Sequence, residues 1–154
     1  MGVQMDQKEI DDFLTRGHTV IFTTIDKDGY PHSTPLWYAY LDGSIYVRFM
    51  NTSQKAKNLA KGQKVCCLVE TGERWRDLMA VMVRGRAELV KDPAVIEGYE
   101  RAAKEKYAAF REASTNQPQR TREHYSNPRV YYRIVPEKKI GTWDNKKIRL
   151  LKRD

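Results

Sequence analysis

Turn-forming residues divide the chain into six or seven short segments that have the composition of β-strands. These segments lie at residues 19–26, 30–41, 44–50, 64–71, 78–90, 130–136 and 140–144. Most of the connections between them are short, which favours antiparallel neighbours over the long crossovers of a parallel sheet. The sequence therefore predicts a mainly β (α+β) fold, an antiparallel barrel of six to seven strands with peripheral helices.

Three helices are expected between the strands, at residues 5–17, 53–61 and 92–113. The first has an amphipathic pattern and ends at a glycine, and the second begins after a serine. The third begins at an Asp-Pro pair, and its spacing turns one set of residues inward, namely Val95, Ile96, Tyr99, Ala103 and either Tyr107 or Phe110. These helices are inserted between strands and are expected to cover the outside of the barrel.

Certain residues limit the details of the strands. Pro31 and Pro35 lack an N–H, so the start of their strand must lie at an edge or contain a bulge. Gly85 interrupts a long strand and is interpreted as a bulge. The stretch 114–128 is rich in turn formers and is expected to be a loop.

The length of 154 residues predicts a single domain, 1–154, with a basic tail at 144–154. The net charge of +8 favours an anionic partner, whether nucleic acid, an anionic lipid surface or a charged cofactor. No apolar run approaches the roughly 20 residues of a membrane span. The N-terminal segment is polar and acidic rather than signal-like, so a cytoplasmic location is expected.

Two lysines occupy an unusual position at the start of the second helix. If Ser53 is the N-cap, Lys55 and Lys57 take the second and fourth helical positions, where the helix dipole disfavours cations. An anion held between the helix end and the lysines would make this arrangement favourable. The alternative is that both are ordinary solvated charges on an exposed turn.

Cysteine and histidine spacing gives no sign of a metal site. Cys66 and Cys67 are adjacent and must point to opposite faces of a strand, so they are interpreted as unpaired buried thiols. The three histidines are isolated, at 18, 32 and 124. No catalytic side chain is predicted.

Three stretches together resemble one protein superfamily. They read TTIDKDGYPHSTPLWYAYLDGSIYVRFMNTSQKAKNLAKGQKVCCLV, VMVRGRAELV and YYRIVPEKKIGTWD. Their order and spacing resemble the flavin-binding split β-barrel superfamily named for pyridoxamine 5′-phosphate oxidase. That superfamily includes reductases that depend on a deazaflavin, coenzyme F420. The resemblance covers roughly residues 15–145, with the region 95–128 generic.

The resemblance implies a homodimer with two cofactor sites between the subunits. One subunit would line the flat cofactor ring and hold its phosphate, through Ser33, Thr34, Pro35, Leu36, Trp37, Arg48, Phe49, Met50, Ser53, Gln54, Lys55 and Lys57. The other subunit would close the site with the segment 75–80 and with Trp143, which gives Trp75, Met79, Ala80 and Trp143 as further candidates. By the residues alone, Trp37 could instead belong to the barrel core or the dimer interface. Trp75 could instead be an exposed loop residue or a nucleic-acid contact. Arg48 could be surface at the rim of the barrel or a donor to the cofactor.

Two departures from the family pattern bear on activity. Members that oxidise pyridoxamine phosphate usually have Ser-Arg-Lys at the helix start, whereas this chain has Ser53-Gln54-Lys55. They also have an Arg-x-His signature after the closing tryptophan, and this chain lacks it after Trp143. The resemblance thus implies an F420-dependent oxidoreductase that reduces a small conjugated organic substrate of unknown identity, with the basic tail available to an anionic cofactor.

Two alternatives remain open at this stage. One is an FMN-binding reductase or redox protein that uses the same groove. The other is a protein that binds nucleic acid through its positive charge alone. The chain has no recognised nucleic-acid-binding motif, so nucleic acid is not an expected partner.

Overall fold

Seven strands form in the computed structural model, which describes residues 3–148. They are β1 Thr19–Ile25, β2 Pro31–Leu41, β3 Ser44–Met50, β4 Lys64–Thr71, β5 Met79–Leu89, β6 Arg129–Pro136 and β7 Gly141–Asp144. All pairings are antiparallel in the order β4-β1-β2-β3-β6-β5-β7, and a β4–β5 pairing closes the first six into a barrel. β7 lies outside the barrel against β5. The predicted fold class is confirmed.

The barrel splits where β2 and β3 diverge. Residues 31–37 of β2 pair only with β1, and residues 38–41 pair with β3. The end of β3, residues 48–50, pairs with β6 instead. The first half of β2 is therefore an edge, as its two prolines predict, and a gap opens between it and the end of β3.

The turn between β2 and β3 explains why these strands pair closely at their other ends. Asp42 and Gly43 both have positive φ, at 49° and 74°, and Leu41 pairs directly with Ser44. A two-residue turn of this kind matches the twist of the flanking strands and is favoured by Asp-Gly. The hairpin thus fixes the register up to the point where the split begins.

The bulge expected at Gly85 is absent, and that expectation was wrong. β4 and β5 pair one to one from Lys64–Arg86 to Thr71–Met79 without an extra residue. On its other side, β5 pairs with β7 through residues 79–82 and with β6 through residues 85–89. A Cβ atom at Gly85 would lie 2.0 Å from the carbonyl oxygen of Val135, so the glycine permits close approach of β6 rather than a bulge.

Four α-helices accompany the barrel in the described part of the chain: α1 Gln7–Arg16, α2 Gln54–Leu59, α3 Pro93–Lys106 and α4 Gln119–Tyr125. The third ends at Lys106, short of the predicted end at 113. The predicted loop 114–128 contains α4, a seven-residue helix with no buried side chain. A short exposed helix has no apolar periodicity to reveal it. No helix within residues 3–148 is long and apolar enough to span a membrane.

The core has two parts. The larger fills the barrel and extends to Ile10, Phe13 and Leu14 of α1. The smaller lies outside the barrel, where Ala39 of β2 packs against α3 residues, and its members are Ala39, Tyr99, Ala103 and Tyr107. The first half of β2 is therefore held by its pairing with β1, and α3 packs against the second half at Ala39.

The cysteines and the tail agree only partly with expectation. Cys67 is buried, and burial raises its pKa, whereas Cys66 is only half-buried. Of the predicted basic tail, residues 149–154 lie outside the described residues. Lys147 is engaged, because its Nζ donates to the Gln4 carbonyl (2.9 Å) and forms an ion pair with Glu9.

Lys106 at the end of α3 is expected to lower stability at neutral pH. Its Nζ is buried with no hydrogen-bond partner in the described structure and lies 4.1 Å from the centroid of the Tyr38 ring. Burial lowers the pKa of Lys106 to about 8. An unfolded lysine titrates near about 10.4, so the folded state binds this proton less tightly and the penalty is relieved as the pH rises above about 8.

We therefore expect Lys106→Met to raise the melting temperature at pH 7 by about 2–4 °C, since it keeps the apolar stem and removes the charge. The gain over wild type should shrink as the pH approaches about 10. Thermal unfolding at a series of pH values measures both effects. Lys104→Met, at an exposed position on the same helix, is the matched control. An equal gain in both variants, or a gain independent of pH, would contradict this account.

Candidate functional site

A groove of about 830 Å³ lies at the split of the barrel. Its walls come from the edge half of β2, the end of β3, the start of α2, the inner face of α3 and the connection from α3 to β6. Eight residues predicted from the sequence line it: Pro35, Leu36, Trp37, Arg48, Phe49, Met50, Ser53 and Lys55. Eight of the twelve residues predicted for one subunit are therefore gathered in one place.

The start of α2 has the predicted cap. Ser53 is the N-cap, and its hydroxyl accepts the backbone N–H of Ala56 (3.3 Å). Lys55 is half-buried in the groove with its Nζ 5.4 Å from the centroid of the Phe49 ring, and burial lowers its pKa. No carboxylate within residues 3–148 pairs with it. An unpaired, partly desolvated ammonium beside a helix N-terminus is well suited to an anion.

Lys57 is not part of this arrangement in the isolated chain. It is exposed and does not line the groove. Two residues along an α-helix correspond to a rotation of about 200°, so Lys55 and Lys57 lie on opposite sides of α2.

Trp37 forms an aromatic wall of the groove. Its ring stacks on Tyr107 with the centroids 4.3 Å apart and the planes 5° from parallel, and 39% of the residue is exposed. The Arg111 guanidinium carbon lies 5.8 Å from the Trp37 ring centroid. One face of Trp37 is thus used for packing, and only the rest of the side chain is available to a ligand.

The Tyr107 hydroxyl holds this wall in place. Its oxygen accepts the backbone N–H of Tyr38 (2.9 Å) and lies 2.7 Å from the carbonyl oxygens of both His18 and Tyr38. Tyr107 is fully buried. One side chain therefore ties α3 to the start of β1 and to the point on β2 where the split begins.

Removing that hydroxyl should destabilise the protein without removing the stacking ring. We expect Tyr107→Phe to lower the free energy of unfolding by about 1–3 kcal/mol, because the Tyr38 N–H would remain buried without an acceptor. Urea unfolding measures the change. Tyr30→Phe, at a residue that is 71% exposed, is the control. A Tyr107→Phe protein as stable as wild type would show that the hydroxyl is dispensable.

Arg48 already has a partner. Its Nη1 donates to Glu100 Oε1 (2.5 Å), which also accepts the hydroxyl of Tyr131 (2.6 Å). Burial alone would lower the pKa of Arg48, but the hydrogen bond and charge of Glu100 outweigh it and raise the pKa. Arg48 therefore reaches the groove as one half of an ion pair, with its other N–H groups left for a ligand.

Four other predicted residues near the strand and helix do not line the groove. They are Ser33, Thr34, Gln54 and Lys57. The Ser33 hydroxyl is hydrogen-bonded to that of Thr23 (2.8 Å), and Gln54 Nε2 donates to Asn58 (2.8 Å). Thr34 Oγ1 is buried without a hydrogen-bond partner in the described part of the chain.

The four residues predicted for the second subunit lie together elsewhere. Ala80 of β5 pairs with Trp143 of β7, and Asn145 Nδ2 donates to the Trp75 carbonyl (2.7 Å). Trp75 and Trp143 are 56% and 42% exposed. Met79 lines a separate cavity of about 690 Å³. None of the four lines the groove of its own chain.

Much of the groove was not predicted from the sequence. The additional lining residues are Tyr99, Ala103, Tyr107, Arg111, Glu112, Ser114, Gln117, Arg122, Tyr125, Ser126 and Arg129. The helical spacing indicated that Tyr99, Ala103 and either Tyr107 or Phe110 face inward, and of the last two Tyr107 is buried and Phe110 exposed. Nothing local indicated that the chain after α3 folds over the split. Within residues 3–148 no group of three or more His, Cys, Asp or Glu side chains is placed to hold a metal ion.

Comparisons with known proteins agree with this architecture. Residues 6–139 match the family described as pyridoxamine 5′-phosphate oxidase. A conserved hypothetical protein from Mycobacterium tuberculosis is 30% identical and superposes with a TM-score of 0.79, over 99% of this chain and 94% of that one. No protein of curated function matches significantly.

Two more distant solved structures share the fold. A FAD-binding protein from Mesorhizobium loti is 22% identical, with a TM-score of 0.68 over 92% of this chain and 97% of that one. A protein described as an F420 reductase is 20% identical, with a TM-score of 0.60 over 85% of this chain and 94% of that one.

Proposed function

Because the chain belongs to the pyridoxamine 5′-phosphate oxidase family, we propose that it is an oxidoreductase that binds coenzyme F420 in the split groove. Its reaction would transfer hydride from the reduced deazaflavin to a small conjugated organic substrate. The cofactor supplies the hydride chemistry, and the protein binds and orients the cofactor and excludes water. Residues 1–154 would form one catalytic domain.

The observation that carries this proposal is Lys55, a half-buried ammonium with no described carboxylate partner at the capped start of α2. This is the chemistry that a phosphate group requires. Ser53 and Lys55 would hold the phosphate, and Trp37, Phe49 and Met50 would lie along the ring. Arg48 would offer the N–H groups that Glu100 does not use.

The charge of the groove supports F420 over FMN. Its lining includes five cationic side chains, Arg48, Lys55, Arg111, Arg122 and Arg129, and one carboxylate, that of Glu112. A deazaflavin coenzyme with a phosphodiester and a polyglutamate tail is more anionic than FMN. FMN remains the second candidate, because the Ser53–Lys55 end suits a single phosphate equally well.

A second copy of the chain would complete the site. The exposed side chains of Trp75 and Trp143, together with Met79 and Ala80, lie outside the groove of their own chain. In a homodimer they would cover the groove of the other subunit. Pro31 and Pro35 have no backbone N–H, so this edge of β2 lacks donors for pairing with another strand. It is better suited to a ligand that lies beside it.

A titration with both cofactors tests the proposal. We expect the purified protein to change the fluorescence of added F420 on binding, and to bind FMN at least about tenfold more weakly, which corresponds to about 1.4 kcal/mol. A protein that is yellow after purification because FMN is tightly bound would show that the cofactor is FMN and not F420. A protein that binds neither would refute the oxidoreductase proposal.

A further inference from the structure

Arg48 differs from the other cations of the groove because a carboxylate of the protein contacts it. Five cationic side chains line the groove, and within residues 3–148 only that of Arg48 is in an ion pair. Its partner is Glu100 of α3, which does not itself line the groove. The negative charge therefore acts on a ligand from outside the lining and next to one particular guanidinium.

Three elements of the fold hold Glu100 against Arg48. Arg48 of β3 is opposite Tyr131 of β6 in the strand ladder. Glu100 Oε1 accepts hydrogen bonds from both, from Arg48 Nη1 (2.5 Å) and from the Tyr131 hydroxyl (2.6 Å). The Tyr99 ring packs edge-on against the Tyr131 ring with the centroids 5.7 Å apart, which joins α3 to β6 next to Glu100. The position of the carboxylate is therefore fixed by packing between helix and sheet.

The two charges of this pair cancel where water screens them least. The Arg48 side chain is 19% exposed, the lowest value for a cation in the five ion pairs of the described residues. Burial alone would raise the pKa of Glu100, but the hydrogen bonds from Tyr131 and Arg48 and the charges of Arg48 and Arg129 outweigh it and lower the pKa. Glu100 is therefore ionised at neutral pH, and the net charge of the pair is zero.

Cancelling the charge of Arg48 leaves most of its hydrogen-bond donors free. A guanidinium has five N–H groups, and one of them donates to Glu100 Oε1. The others can donate to a carbonyl oxygen, whereas an anion at the same place would meet the negative charge of Glu100 as well. Lys55 has no described carboxylate partner and therefore favours an anion. The groove thus has two cations with opposite preferences.

We propose that Glu100 is a specificity-determining residue, which reserves the Arg48 position of the groove for an uncharged, carbonyl-bearing group and excludes anions from it. This rests on the proposed function for the ligand, since the carbonyl groups would belong to the flat cofactor ring and the phosphate would bind at Lys55. Glu100 acts through Arg48 and not by touching the ligand. Without Glu100, a phosphate would have two competing cations, and the ring would lose its fixed direction in the groove.

Calorimetric titration of the full-length protein with inorganic phosphate and with riboflavin, an uncharged ring compound, tests this role. We expect Glu100→Gln to bind inorganic phosphate at least about fivefold more tightly than wild type, because it keeps an acceptor for Arg48 and removes the negative charge. Riboflavin should bind this variant within about threefold of wild type. Glu97→Gln, at an exposed position of the same helix outside the groove, changes the net charge equally and should bind both probes like wild type.

A second variant, Arg48→Gln/Glu100→Gln, replaces the pair by two neutral amides, a change that proteins often tolerate at buried ion pairs. It should bind inorganic phosphate within about threefold of wild type, because the net charge at this position is unchanged. Riboflavin should bind it at least about fivefold more weakly, because the guanidinium donors are lost. The double variant also decides the matter if Glu100→Gln does not fold. Weakened phosphate binding or unchanged riboflavin binding in the double variant would overturn the proposal.

Failure of this role and failure of the proposed function give different patterns. Riboflavin binding together with unchanged phosphate affinity in Glu100→Gln, or with an equal gain in Glu97→Gln, would overturn the role of Glu100 and leave the cofactor groove standing. A wild-type protein that binds neither flavin nor F420, with a gain in phosphate affinity in Glu100→Gln alone, would refute the proposed function. The exclusion of anions by Glu100 would then still stand.

Discussion

Lys55→Ala is expected to weaken binding of a phosphate-bearing cofactor by at least about tenfold, because one charge-assisted contact contributes about 1.5–3 kcal/mol. The ammonium of Lys55 is already partly desolvated and has no described carboxylate partner, so it is available to an anionic ligand. Fluorescence titration of F420 and FMN with the variant measures the loss. Riboflavin, which lacks the phosphate, should bind wild type and variant equally.

Three lysines in and just after one short helix make this test specific. Lys57→Ala is expected to change the affinity by less than about threefold, because Lys57 lies on the opposite side of α2. Lys61→Ala, just beyond the helix, serves as the control for net charge. An unchanged affinity in Lys55→Ala would refute the phosphate assignment. An equal loss in all three would show that only the overall charge matters.

The strands were predictable because their signals are local. Alternating burial, turn residues and the Asp42-Gly43 hairpin each depend on a few neighbouring residues, and all seven predicted strands are present. Which strands pair with each other depends on residues far apart in the sequence, yet the prolines at 31 and 35 correctly indicated an edge. The same signals placed the N-cap at Ser53.

The end of α3 and the helix after it were mispredicted for physical reasons. The apolar pattern of α3 continues past Lys106, but the chain turns at Tyr107, whose hydroxyl binds backbone groups of the β1 and β2 region. Such tertiary hydrogen bonds override helical periodicity and have no signature in the sequence around them. The exposed α4 had none either.

The candidate site likewise has one part that local sequence signals predict and one part that depends on contacts between distant residues. Its β2, β3 and α2 residues come from one continuous run of sequence, so a motif could identify them. Arg111, Arg122 and Arg129 reach the groove only because the connection after α3 folds across the split. As isolated arginines among turn formers, they were indistinguishable from ordinary surface charge.

Gly85 illustrates how one residue can be singled out correctly and explained wrongly. A glycine inside a strand indicates either a bulge or a close approach of another backbone, and the sequence does not distinguish them. The unbroken register between β4 and β5 excludes the bulge. The carbonyl of Val135 occupies the space that a Cβ atom would need.

Gly85→Ala should therefore be the most destabilising of the substitutions considered, at about 3 kcal/mol or more, because backbone atoms of a paired strand cannot move aside as a side chain can. The new methyl group would lie 2.0 Å from the Val135 oxygen and 2.8 Å from its carbonyl carbon. Relief would require β6 to separate from residues 85–89 of β5. Urea unfolding followed by circular dichroism measures the change, and a variant that fails to fold meets the expectation in full.

Gly98→Ala is the matched control. Gly98 lies in the interior of α3, and apart from its chain neighbours and the adjacent backbone of the helix itself, no atom lies within 4 Å of the position that its Cβ would take. The same chemical change should there stabilise the protein by about 0.5–1 kcal/mol, since alanine favours a helix interior. Opposite signs at the two glycines would tie the effect to the β5–β6 contact. A Gly85→Ala protein with wild-type stability would mean that β5 and β6 do not approach as closely as the barrel requires.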